Sequence, residues 1–304
     1  MENYNLDLIA NISINILYII KFIGLIGNLL AFLVFSCKNF QNTIFYTYYR
    51  FVCIIDSLFL TLGLFQQFYS NVFVFSSFYC KIIFFLNYFP PSLSIWTMVI
   101  ISIDRMCSIA FSSRFQYRKK TINQIIIIIG MIVFNLIYWS PILFVFNIDN
   151  HHNRTNQTQK LVCRPVSPAI IYLDLVNTTI IPVTLMIAST IITLKELFKS
   201  RKKSNQSTSL NKKDIKFAII SVLLIILFII FNLPITLVNL INRIFLTSFL
   251  NEISAVAYSV ASWLFYINYA HLFYINLFVN ALFQKEFFNM MKKFKIKICK
   301  LFFS

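Results

Sequence analysis

Apolar residues fall in seven long runs, at about 12–35, 44–68, 82–103, 122–146, 169–194, 215–241 and 253–283, with short polar segments between them. Each run meets or exceeds the roughly 20 residues that a helix needs to cross a bilayer. In lipid, a helix satisfies its own backbone hydrogen bonds, so the pattern predicts an all-α membrane protein, a bundle of seven transmembrane helices. After the last run, Phe283-Gln284-Lys285-Glu286-Phe287-Phe288 leads into 290–301, where apolar residues alternate with lysines at helical spacing. That predicts a short amphipathic eighth helix on the inner leaflet, the alternative being a disordered basic tail. The chain reads as one domain over 1–304 without an internal repeat, with an outer tail at 1–11 and a cytosolic helix and tail at 283–304. A basic, Ser/Asn-rich inner segment at 199–213 is expected to be mobile.

Composition strengthens the membrane reading and charge orients it. The 304 residues are 59% hydrophobic and 12% charged, with mean hydropathy +0.75, which excludes an ordinary soluble domain. Of the 27 basic residues, all but Lys21, Lys81, Arg154, Lys160, Arg164 and Arg243 lie on one side of the predicted spans. The positive-inside rule puts that side, and the C-terminus with it, in the cytosol and the N-terminus outside. The net charge of +17 is then a rim facing anionic lipid, not a nucleic-acid footprint. The first eleven residues lack a basic n-region and carry Glu2 and Asp7, so the first span is expected to act as its own anchor. Sequons at Asn11, Asn153 and Asn156 fall on the predicted outside and are glycosylation candidates, whereas the one at Asn205 falls inside.

Cys80 and Arg105 are separated by 25 residues of nearly uncharged chain, about 37 Å of helix, enough to cross from one polar rim to the other. Of six cysteines only Cys80 and Cys163 lie in the outer region; a disulfide between them would tie the polar loop over the bundle, the alternative being two free thiols. Cys299, between Lys297 and Lys300, is a palmitoylation candidate, and Cys53 and Cys107 read as packing residues. Asp56 is an acid in mid-bilayer, which must be neutral, paired or ion-bound. Pro90-Pro91 inside the third span removes two backbone donors and is expected to kink it.

These residues resemble rhodopsin-like (class A) G-protein-coupled receptors over nearly the whole chain. Gly27-Asn28 resembles the family's Gly-Asn, Asp56 its second-span acid, Cys80 its third-span cysteine, Asp104-Arg105-Met106 its Asp-Arg-Tyr and Pro182 its fifth-span proline. Phe228-Ile229-Ile230-Phe231-Asn232-Leu233-Pro234 is similar to Phe-x-x-Cys-Trp-x-Pro without the Trp, and Asn276-Leu277-Phe278-Val279-Asn280 to Asn-Pro-x-x-Tyr without the Pro and Tyr. The Phe-Asn-Leu-Pro sequence and the non-proline residue after Asn276 also resemble invertebrate FMRFamide-type neuropeptide receptors.

The resemblance implies roles. Asn28, Asp56, Ser94 and Asn276 would form a buried polar cluster that holds sodium, with a hydrogen-bonded core without sodium as the alternative. Asp104 and Asp214 would latch Arg105 at rest. Release would let the sixth span swing about Pro234, Asn276 rearranging with it, and open a cavity for a G protein. Thr190 and Asn280 stand where two tyrosines usually steady the active state. Asn87 stands where amine receptors keep an aspartate and Ala270 where visual pigments keep a lysine, which argues against both ligand classes.

A candidate ligand lining is Gln66, Gln67, Tyr69, Asn87, Asn239, Arg243, Trp263 and Tyr266, aromatic and amide-rich, which suits an extracellular peptide. For each residue singly the alternative is packing or the interfacial belt. A lipid or chemosensory ligand is the second reading. A transporter would want an internal repeat, a channel a ring of like charges, and an intramembrane enzyme a catalytic cluster that His271 alone does not supply.

Overall fold

The computed structural model describes residues 2–41, 46–68, 77–110, 121–151, 160–165, 169–203, 209–244 and 251–302, except for the side chains of 2–7, 41, 77, 145–151, 160–165, 197, 200–203, 209–221, 242–244, 251–253 and 294–302. The elements are α1 (Glu2–Phe35), α2 (Lys38–Gln41), α3 (Tyr46–Phe68), α4 (Ser77–Ala110), α5 (Thr121–Trp139), α6 (Ile142–Val145), β1 (Phe146–His151) and β2 (Lys160–Pro165). There follow α7 (Ala169–Asp174), a π-helical turn at Leu175–Ile180, α8 (Ile181–Lys203), α9 (Ser209–Ile244), α10 (Asn251–Ala270), α11 (Leu272–Val279) and α12 (Ala281–Phe302).

Six of the crossings are helices long and apolar enough to span a membrane: α1, α3, α4, α5 with α6, α7 with α8, and α9. The seventh is made by α10 and α11 across a break at His271. The contacts close a ring, α1 on α3, α3 on α4, α4 on α8, α8 on α9, α9 on α10 and α10 back on α1, with α5 against α3 and α4. Close approach of spans one, two and seven depends on Gly24, where an added Cβ would meet the Cβ of Ala270 and Cδ1 of Leu60 at 2.7 Å. Isoleucines such as Ile122, Ile126 and Ile129 of α5 point outward, as a lipid-facing wall requires.

Several boundaries differ from the sequence expectation, each for a local reason. The tail expected at 1–11 continues α1, which is helical from Glu2. The fourth run breaks at Ser140-Pro141, where the proline cannot continue the ladder, and its end becomes β1. The loop expected beyond it is a two-stranded antiparallel ribbon, with Ile148 opposite Cys163. The seventh span ends at Val279, not at 283, because Asn280 leaves the helix (φ −98°, ψ 100°) and caps α12, its Oδ1 accepting from the Phe283 amide at 3.2 Å. The eighth helix therefore starts at Ala281. Phe283, fully buried, seats it against Phe35, Phe40 and Phe273, and Asn39 donates to Glu286 at 2.8 Å. Through Pro90-Pro91, α4 runs without interruption.

Candidate functional site

The π-helical turn shapes the widest part of the bundle. Pro182 has no N–H to offer the carbonyl four residues back, and the preceding turn widens so that the Ile181 amide bonds Val176 O, five back. Asn177 is thereby buried against α4. Its Nδ2 donates to Ser92 Oγ (2.9 Å) while its Oδ1 accepts from Trp96 Nε1 (3.1 Å), and Ser92 donates to Asn135 Oδ1 (2.6 Å). Spans three, four and five are thus joined by one chain of polar side chains, each interhelical bond contributing about 0.6 kcal/mol in such settings. The sequence reading missed this network; buried Asn and Ser on three neighbouring runs were its only trace.

The same turn puts Asp174 and Thr178 on the wall of a cavity of about 320 Å³ lined from five spans. Gln66, Asn87, Asn239 and Tyr266, all expected there, line it, and Gln66 Nε2 donates to Asn87 Oδ1 at 2.9 Å. Tyr88, Pro91, Asn232, Tyr258 and Ser262 line it too and were not expected. Asn232 is 1% exposed and its amide nitrogen has no partner among the described residues.

Two predicted lining residues face elsewhere. Gln67 turns to span one, its Oε1 accepting from Lys21 Nζ at 2.7 Å. Trp263 also turns to span one, donating to Ser13 Oγ at 3.2 Å, since its place on α10 faces α1 and not the cavity. That bond engages the hydroxyl of the Asn11 sequon, while Asn11 itself is exposed on α1. Lys21, expected at the rim, is 2% exposed: Nζ donates to Gly63 O at 3.0 Å and lies 4.3 Å from the Tyr266 ring centroid. Helical phase carries it inward between spans two and seven. Tyr69, Asn153 and Asn156 lie outside the described residues, as do the side chains of Cys163, Asp214, Arg243 and Cys299.

Deeper in the bundle, Asp56 is 3% exposed and hydrogen-bonded by Ser94, its Oδ1 lacking a partner among the described residues. Both line a second cavity of about 20 Å³, room for about one water. Asn28 and Asn276 do not join them: Asn28 Nδ2 donates to Tyr269 O (2.9 Å) and Asn276 Nδ2 to Leu272 O (2.9 Å). Asn268 and His271 border the cavity in their stead, and His271 Nδ1 lies 2.7 Å from Asn268 O. Side chains engaging the Asn268 and Tyr269 carbonyls accompany the break at His271. Asp56 and Ser94 bring a carboxylate and a hydroxyl oxygen to this cavity, while the amides of Asn28 and Asn276 are engaged with backbone carbonyls.

Near the far end of α4, Asp104 and Arg105 are both buried, and Arg105 Nη2 donates to Tyr49 Oη at 2.6 Å. Tyr49, on span two, was not expected as a partner; nothing in its sequence setting distinguishes it from Tyr46 or Tyr48. Thr190 is buried with its hydroxyl unpartnered among the described residues. At the opposite end of α4, Cys80 is buried beside Trp139, Ile142 and Ile170, and β1, the partner strand of the one holding Cys163, lies against this helix.

A family profile described as "7 transmembrane receptor (rhodopsin family)" matches residues 27–271. The N-arachidonyl glycine receptor of Homo sapiens is 27% identical over 208 residues, 65% of this chain and 61% of that one. That of Macaca fascicularis is 26% identical over the same length, and that of Mus musculus 30% over 126 residues, 41% of this chain and 38% of that one. The chain thus spans about three fifths of the length of the first of these relatives.

Proposed function

Because the chain belongs to the rhodopsin family of seven-transmembrane receptors, we propose that it is a plasma-membrane receptor, N-terminus outside, that binds an extracellular ligand in the wide cavity and activates a heterotrimeric G protein. One observation carries this reading: a cavity bordered by five spans and a buried arginine stand on the same helix, with Ile95 on the cavity wall and Arg105 about 15 Å further along. A ligand that binds the open bundle better than the closed one shifts the population toward the open form. In the closed form Tyr49 and Asp104 hold Arg105; in the open form Arg105 floors the G-protein cavity. Asp214 is the further acid we assign to the latch, and Pro234 the hinge. Asp56 and Ser94 serve as a hydrogen-bonded polar centre between the two ends. A Cys80–Cys163 disulfide would hold the ribbon beside the cavity mouth, and glycans on Asn153 and Asn156 and a palmitoyl group on Cys299 fit the same orientation.

The amide-rich lining of Gln66, Asn87, Asn232 and Asn239 favours a peptide ligand, and the FMRFamide-type resemblance points the same way. The name of the curated relatives favours a lipid-like ligand as the second reading. Cell-surface expression with a G-protein readout, screened against amidated peptides, amines and lipids, tests both. A peptide response establishes the first, a response to N-acyl amino acids alone the second, and silence at full surface expression across all ligands and G proteins overturns the receptor reading.

A further inference from the structure

Among its described lining residues the wide cavity has one acidic side chain, Asp174, and no basic one. Around it the wall is aromatic and amide, not cationic: Tyr88 and Tyr258 contribute rings, and Gln66, Asn87 and Asn232 contribute amides. Lys21, a buried cation on the far side of the Tyr266 ring, is engaged by Gly63 O and Gln67 Oε1. Tyr266 itself stacks on Phe59 (5.4 Å, 10° interplanar) and takes Lys21 over its ring, so both demands on it are met inside the protein. An acid half-buried at a cavity wall, with no cationic partner among the described residues, is costly to ionise in a membrane protein unless something supplies the opposite charge.

We propose that this cavity is a subsite for an organic cation, an ammonium or guanidinium group of the ligand that pairs with Asp174. Tyr88 and Tyr258 offer ring faces and edges to such a cation, and the amide nitrogen of Asn232, without a partner among the described residues, offers a donor to a carbonyl on the same ligand. The place opposite, Asn87, carries an amide already engaged with Gln66, so the acid comes from span five and not from span three. The π-helical turn makes this possible, because it sets Asp174 and Thr178 toward the cavity while Asn177 faces α4. An anionic headgroup would meet Asp174 as a like charge. The inference rests on the ligand-binding half of the proposal above.

The test uses the full chain, purified and reconstituted, with thermal unfolding as readout and no G protein present. The probes are two mixtures of amidated tetrapeptides, one with arginine fixed at a single position and the other with citrulline, its uncharged isostere; agmatine serves as a small cation and an N-acyl glycine as an anionic lipid. Stabilisation by the arginine mixture at about tenfold or more lower concentration than by the citrulline mixture is the expected result. Asp174→Asn removes that preference and Asp174→Glu retains part of it. Equal response to arginine and citrulline, a preference that survives Asp174→Asn, stabilisation by the N-acyl glycine alone, or no response to any cationic probe overturns the subsite. A chain that shows the charge preference yet never activates a G protein leaves the subsite standing and sinks the signalling reading instead.

Discussion

The two ends of α4 are built differently. Toward Cys80, the helix borders a cavity of about 320 Å³ whose wall mixes tyrosines, amides and an acid, with a donor on Asn232 that has no partner among the described residues. Toward Arg105, the arginine is buried and hydrogen-bonded to Tyr49, and an aromatic cluster of Phe35, Phe40, Phe273 and Phe283 packs the foot of spans one and seven. Between them the Asp56 cavity has room for about one water. One end offers a polar-lined space between five spans; at the other, a buried arginine is held by Tyr49. That asymmetry is what a resting receptor needs, since a ligand can act only on an equilibrium whose closed form is held by internal contacts.

The largest effect expected on this picture comes from the packing that both ends share. Gly24→Leu drives a side chain into Ala270 and Leu60, whereas Gly130 has nothing within 4 Å of its added Cβ. Overpacking of this kind costs about 1–3 kcal/mol or more, so Gly24→Leu should lose most surface expression and Gly130→Leu should keep it. Equal expression of the two would show that spans one, two and seven do not meet as described. Next, Tyr49→Phe removes the hydroxyl that accepts from Arg105, a charged bond worth about 1.5–3 kcal/mol. Basal nucleotide exchange should rise up to about tenfold at matched expression; unchanged or lowered exchange would remove Tyr49 from the latch.

A smaller effect is expected at the wide end. Asn177→Leu strands Trp96 Nε1 and breaks the link to Ser92, costing about 1–2 kcal/mol by membrane hydrogen-bond magnitudes. The purified chain should unfold a few degrees earlier, and wild-type stability would show the network to be incidental. Smallest of all is Lys21→Met. The cation is buried with only neutral partners among the described contacts, so replacing it by an apolar side chain of similar length should change stability by less than about 1 kcal/mol, in either direction. A loss well beyond that would give Lys21 a part in holding spans one, two and seven together.

Much of this was legible in the sequence because the bilayer sets a length scale. The seven runs, Asp56 in mid-bilayer, Arg105 at the membrane edge, and the amphipathic helix after span seven all follow from counting apolar residues and locating charges. Which way each helix faces was less legible. In a bundle in lipid the outer wall is as apolar as the interior, so period 3.6 carries little contrast, and Gln67, Trp263 and Lys21 were placed by position along the helix and not by phase. The π-helical turn adds a second obstacle: one extra residue before Pro182 rotates everything ahead of it, which is why Asp174 and Asn177 drew no attention. Asn280 is the converse case. Read by resemblance it is a lost tyrosine; read by its own chemistry it is a helix N-cap, and the structure shows it capping.

The central claim, that Arg105 converts occupancy of the wide cavity into a signal, is tested most directly by nucleotide exchange on purified G proteins with equal amounts of reconstituted wild-type and Arg105→Ala chain. The account predicts exchange with the wild type and its loss in Arg105→Ala, with probe-dependent stabilisation of the cavity retained in both. Exchange that survives Arg105→Ala at wild-type rate would contradict it.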